Sequence, residues 1–93
     1  MIRINCGEQR IIIITMKSGD NEPFVIRDAA YELIRHKSSG EKETEDSGAC
    51  NINGTQLSVM INPRQPGLYE IKCSMTIAEE KIIRKAYIQV QES

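Results

Sequence analysis

Residues Gly54 to Ile77, GTQLSVMINPRQPGLYEIKCSMTI, hold two runs of alternating polarity around a proline-rich corner. Leu57, Val59 and Ile61 share one face of the first run. Tyr69, Ile71, Cys73, Met75 and Ile77 share one face of the second. Successive side chains of a strand point to opposite faces, so a period of two marks a half-buried strand. Between the runs, Asn62-Pro63-Arg64-Gln65-Pro66-Gly67 cannot continue a ladder, because each proline lacks a backbone donor and fixes φ. Two strands joined by such a corner, the second opening on Gly67-x-Tyr69, read as the corner of a β-sandwich. Tyr69, Gly67 and Pro63 are its structural residues. The Tyr69 hydroxyl is expected to bond to backbone near Asn62 or Pro63.

Reading toward the C-terminus, Ala78-Glu79-Glu80-Lys81 predicts a polar hairpin turn. Ile82 to Gln91 predicts a last strand with Ile82, Ala86, Ile88 and Val90 on one face. Arg84 interrupts that face, which implies a bulge or an exposed strand end. Toward the N-terminus, Asn53-Gly54 suits a turn with positive φ, and Ala49 to Asn53 a short strand before it. Ser38 to Gly48, SSGEKETEDSG, is polar, charged and free of apolar residues, and reads as a solvated hairpin loop. Phe24 to Lys37 carries two patterns. Alternation of Ala29, Tyr31 and Leu33 favours two short strands bending near Asp28. Four-residue spacing of Val25, Ala29 and Leu33, with Asp28 as N-cap, gives the alternative, a helix over 29–37. Ser18 to Pro23 stacks turn formers. Arg10 to Lys17, RIIIITMK, is the strongest β signal, its Ile11–Ile14 run reading as a strand buried on both faces. Ile2 and Ile4 open a short first strand ended near Gly7.

The whole chain reads as one all-β domain over residues 1–93. The expected architecture is an antiparallel, immunoglobulin-like β-sandwich of about seven to eight short strands. An α+β arrangement with the 29–37 helix is the alternative.

The 93 residues carry 12 basic and 13 acidic side chains, net −1, and are 40% hydrophobic. Such a balance supplies no field to draw nucleic acid or an anionic membrane, so neither is expected as a partner. No apolar run approaches a membrane span, and the start Met1-Ile2-Arg3-Ile4 lacks the pattern of a secretory signal. Cys6, Cys50 and Cys73 are odd in number and widely spaced, which favours free, buried thiols over a disulfide framework. With His36 they could form a zinc set, but no Cys-x-x-Cys spacing supports it. No nucleophile elbow or phosphate-cradling loop occurs, and His36, between Arg35 and Lys37, reads as an exposed strand-end residue. No catalytic, cofactor-binding or metal residue is therefore expected.

Gly67-x-Tyr69 resembles the Gly-x-Tyr that opens strand F of immunoglobulin-like domains. Those domains place a cysteine where Ile71 stands, and a tryptophan that this chain lacks. The order of motifs resembles small phage tail and baseplate domains, especially the N-terminal domain of baseplate upper proteins. It runs through Lys17-Ser18-Gly19-Asp20, then Ile26-Arg27-Asp28-Ala29, the polar loop, the Gly-x-Tyr strand and a last strand ending at Val90. That resemblance implies a non-enzymatic structural or assembly role in a phage or prophage virion. The partners would be other virion or tail proteins, or further copies of the chain. Assembly would begin in the bacterial cytoplasm and end in the particle. Contacts are expected through edge strands, with the amino-terminal strand and Ile88, Gln89 and Val90 of the last strand as candidates. An adhesion or carbohydrate-binding module of a bacterial surface is the alternative.

Overall fold

A computed structural model of the chain describes residues 2–17 and 23–92. Eight strands form over them: β1 (Ile2–Asn5), β2 (Arg10–Thr15), β3 (Ile26–His36), β4 (Lys42–Ala49), β5 (Asn51–Asn53), β6 (Gln56–Ile61), β7 (Gly67–Ile77) and β8 (Glu80–Gln91). They lie in two sheets, a five-stranded one ordered β1-β8-β7-β3-β4 and a three-stranded one ordered β2-β6-β5. The two inner faces pack as a sandwich. Leu57, Val59 and Ile61 of β6, with Ile12 of β2, meet Leu33, Tyr69, Ile71, Cys73, Met75, Ile88 and Val90 from the larger sheet. Burying each large aliphatic side chain contributes about 1.5–3 kcal/mol relative to leaving it in water. The alternation read from β6 and β7 is therefore the alternation of the core.

No helix forms among the described residues. All of the 29–37 segment but Lys37 lies in β3, a single strand with a register irregularity between Ile26 and Asp28 in place of the expected break. Both neighbours of β3 are strands, and their ladders outweigh the helical spacing, which is a weak prior once tertiary pairing is available. The Ser18–Pro23 turn falls mostly outside the described residues.

Four other readings change. First, the polar 38–48 stretch is a loop only at its start. Lys37 N–H and Glu41 C=O close it at 2.8 Å, Gly40 supplies φ +91°, and β4 begins at Lys42. As the edge of the large sheet with nearly every side chain exposed, β4 needs no apolar residue, and its charges keep other strands from adding to it. Second, Ile11–Ile14 is not buried on both faces. Ile12 is buried, whereas Ile11 and Ile13 are 59% and 60% exposed. Third, of the two readings of Arg84 only the exposed one stands, because β8 keeps unbroken register with β7 and has no bulge there. Arg84 is exposed at the open end of the sandwich, beside Met16, Phe24 and Ile82. Strands of 11 and 12 residues span about 36–40 Å, and with the facing sheet no longer than six residues per strand the hairpin end projects past it. Fourth, β1 pairs with β8 in parallel, Ile2 opposite Ile88 and Asn5 opposite Gln91, so the sandwich is not purely antiparallel.

Both tight hairpins use two-residue loops, Gly54-Thr55 and Ala78-Glu79, rather than Asn53-Gly54. Their first residues have φ +64° and +54°. Glycine takes this conformation freely; Ala78 tolerates it at a cost of about 1–2 kcal/mol.

Candidate functional site

The corner forms as its residues imply. Tyr69 is fully buried at the start of β7, and its hydroxyl accepts a hydrogen bond from Gln65 N–H at 3.3 Å. The backbone partner is thus Gln65 rather than Asn62 or Pro63. The hydroxyl also donates to Glu45 Oε2 at 2.5 Å, and Glu45 Oε1 accepts from Arg64 N–H at 2.8 Å. Burial first, then the bond to the Glu45 carboxylate, raises the Tyr69 pKa well above its ordinary value. Pro63 is fully buried, and its carbonyl receives Gly7 N–H at 3.3 Å. Gly67 adopts φ +135°, open to glycine but to few other residues. One carboxylate on the exposed edge strand β4 therefore fastens the corner of the opposite connection. Sequence reading missed Glu45 because it sits in an acidic run that looks uniformly solvated.

Ile88, Gln89 and Val90 do not form an edge. At these positions β8 has β7 on one side and β1 on the other, and Ile88 and Val90 are buried. The amino-terminal strand, the other candidate, is the edge. Among the described residues, the Glu80–Tyr87 portion of β8 has no strand paired on the side where β1 pairs with Ile88–Gln91.

The outer face of the large sheet holds an ionic cluster. Glu70, on the centre strand, is 1% exposed although it points away from the core. Its Oε1 lies 2.8 Å from His36 Nε2 and 3.3 Å from Lys42 Nζ, and its Oε2 3.9 Å from Lys85 Nζ. The pairing Ile34↔Glu70↔Tyr87 sets it between two large side chains, which with the lysines cover it. Tyr87 is half exposed, its ring centroid 6.5 Å from that of His36. His36 is thus half-buried and hydrogen-bonded, not a free strand-end residue. Burial alone would raise the Glu70 pKa. The hydrogen bonds from His36 and Lys42 and the charges of Lys42 and Lys85 outweigh it and hold the carboxyl below its ordinary 4.5. A carboxyl lowered on folding stabilises the fold above its unfolded pKa, and that contribution is lost as pH falls through the folded value. Glu70→Gln should therefore lower stability by about 1–3 kcal/mol at pH 7. Urea midpoints should converge with the parent's as pH drops below about 4.5. A gap of equal size at pH 7 and pH 3 would contradict this assignment.

The outer face of the small sheet is apolar along β2 and polar along β5, where Asn51 and Asn53 stand opposite Ser58 and Gln56. Ile11 and Ile13 of β2 stand beside Met60 of β6, itself 54% exposed, with Ile11 directly opposite Met60. β2 is also an edge strand, with no neighbour beyond it among the described residues. The zinc set does not assemble. Cys50 and Cys73 lie in the core and Cys6 reaches the Pro63 carbonyl at 3.9 Å, while His36 opens on the far side of the large sheet. No group of three or more His, Cys, Asp or Glu placed to hold a metal occurs among the described residues.

No family model and no curated protein matches the sequence. Among solved structures, the chain is similar to one described as a putative glycoside hydrolase from Bacteroides vulgatus ATCC 8482. The TM-score is 0.61 at 14% identity, over all of this chain and 17% of the other. The likeness is one of fold, and this chain spans about a sixth of that protein's length.

Proposed function

We propose that this chain is a non-enzymatic interaction module that docks onto another protein by adding a partner strand to the β2 edge. The observation that carries it is the strip of Ile11, Ile13 and Met60 along that edge. Soluble domains blunt free edges with lysine, proline, bulges or short length. The stretch Ile11–Thr15 has no charge, no proline and unbroken register with β6. The edge offers unpaired backbone donors and acceptors, and its outward side chains offer apolar area. Together these fit an extended, apolar strand from a protein partner. By contrast β4, an exposed edge of the other sheet, carries Lys42, Glu43, Glu45 and Asp46.

The motif order shared with baseplate domains supports a virion as the setting, with tail or baseplate proteins as partners. The second reading is an accessory module beside a carbohydrate-acting domain, favoured by the structural neighbour's description. For it, Tyr87 and His36 on the outer face of the large sheet would meet the sugar.

The test is Ile11→Lys with Ile13→Lys. Both side chains point to solvent, so the variant should unfold within a few degrees of the parent, while association with the partner is lost. Retained association at parental strength would refute docking through β2. Glycan binding on an array, removed by Tyr87→Ala and untouched by the double-lysine change, would establish the second reading instead.

A further inference from the structure

The backbone of β2 alternates in step with its side chains. Met16 N–H donates to the Thr55 carbonyl at 2.9 Å, one step beyond the Thr15↔Gln56 pair. Antiparallel partners alternate between hydrogen-bonded and non-hydrogen-bonded pairs. With no shift in register, Arg10, Ile12 and Ile14 therefore turn their N–H and C=O groups toward β6. Those of Ile11, Ile13 and Thr15 point off the free edge, and among the described residues no backbone hydrogen bond outside the β2–β6 ladder involves them. Ile11 and Ile13 are also the residues of β2 whose apolar side chains are exposed on the outer face.

We propose that this edge pairs with itself: two copies of the chain join antiparallel along β2 about a two-fold axis at Ile12, with Ile11 of each opposite Ile13 of the other. This rests on β2 being an open docking edge, and it names the occupant of that edge in the absence of another protein. Ile11 and Ile13 have both backbone groups free, so each such pair exchanges two hydrogen bonds across the seam. Paired residues share a face, so the inner and outer faces of the two sheets stay continuous. On the outer face Met60 lies opposite Ile11. Across the seam it continues to Ile13 of the second copy, and the two-fold repeats this row to close one apolar strip.

Charge favours the same arrangement. An antiparallel pair sets the Glu8 end of each strand toward the Lys17 end of the other, whereas a parallel pair would set Arg10 beside Arg10 and Lys17 beside Lys17. A net charge of −1 on each copy adds little repulsion. The six residues of β2 make a short seam. Its buried area falls below the roughly 1,200 Å² of a standard interface, so the pair is weak and separates on dilution. Self-pairing thus closes the docking edge when the chain is concentrated, and an incoming strand competes for the same backbone groups.

The experiment is sedimentation velocity of the purified chain from about 1 μM to 1 mM, a span that covers weak pairing. Amide hydrogen exchange is read by NMR at both ends of that range. A monomer–dimer equilibrium is expected. At the high concentration the Ile11 and Ile13 amides should gain at least about tenfold protection, while those of Ile12 and Ile14 are protected at both. Ile13→Pro removes a donor on the free side alone, a position where an edge strand tolerates proline, and should weaken pairing at least about tenfold in a chain that still folds. A monomer at every concentration, or a dimer whose Ile11 and Ile13 amides exchange as in the monomer, would overturn self-pairing. If such a monomer still bound another protein, and lost it in the Ile11→Lys, Ile13→Lys variant, only self-pairing would fall. A dimer with the expected protection, beside association with another protein that the double-lysine change leaves intact, would overturn only the docking of that protein through β2.

Discussion

Gln89→Pro should destabilise the chain by about 3 kcal/mol or more, a large share of the roughly 5–14 kcal/mol available to a domain of this size. At Gln89, β8 is paired on both sides, with Leu68 of β7 and Arg3 of β1. Whichever neighbour receives its N–H, proline removes a ladder bond from inside the sheet. The ring also disturbs Ile88 and Val90, which bring buried side chains to the core. Gln89→Ala, which keeps the N–H, should stay within about 0.5 kcal/mol of the parent. Urea midpoints of the two variants test this. A proline variant as stable as the alanine one would mean that β8 is a true edge here.

Tyr69→Ala should cost about 3–5 kcal/mol, the range for emptying a fully buried aromatic site. Tyr69→Phe separates the hydroxyl from the ring. It keeps the packing but strips a hydrogen bond from Gln65 N–H and from Glu45, at about 1–3 kcal/mol. The Glu45 carboxylate retains Arg64 N–H, so its own loss should be coupled to that of the hydroxyl. A double-mutant cycle of Glu45→Ala and Tyr69→Phe should give a coupling energy of about 1 kcal/mol or more. Additive effects would show that the corner is held by Gln65 alone.

The corner and the strands on either side of it were legible because one face of β6 and of β7 is buried against the opposite sheet. Burial on one face writes a period of two into the sequence. Where that condition fails, so does the reading. β4 has no buried face, so the composition of a loop and that of a charged edge strand are the same. β2 is apolar on its outer face as well as its inner one, and apolarity on both faces was taken for burial on both. In β3 the small Ala29 and Ala30 fit helix and strand spacing alike, and pairing with β4 and β7 decides between them. Of the two expected edges, the one at Ile88, Gln89 and Val90 was misplaced because a parallel pairing between the two ends of the chain leaves no local signal. Neither Ile2 nor Ile88 indicates the other.

The ionic cluster was hidden for a related reason. Glu70 occupies an outward position of an alternating strand, which ordinarily means solvent. Its burial depends on His36, Lys42 and Lys85, drawn from three other strands.

The proposed docking through β2 is tested most directly by quantitative mass spectrometry of phage particles, released from the source strain by a DNA-damaging agent and purified. The account predicts this chain at a fixed ratio to a tail or baseplate protein. It also predicts that the Ile11→Lys, Ile13→Lys variant, expressed in its place and folded, is missing from the particles. Intact particles that lack the natural chain would contradict the virion setting. Incorporation of the double-lysine variant at the natural ratio would contradict docking through β2.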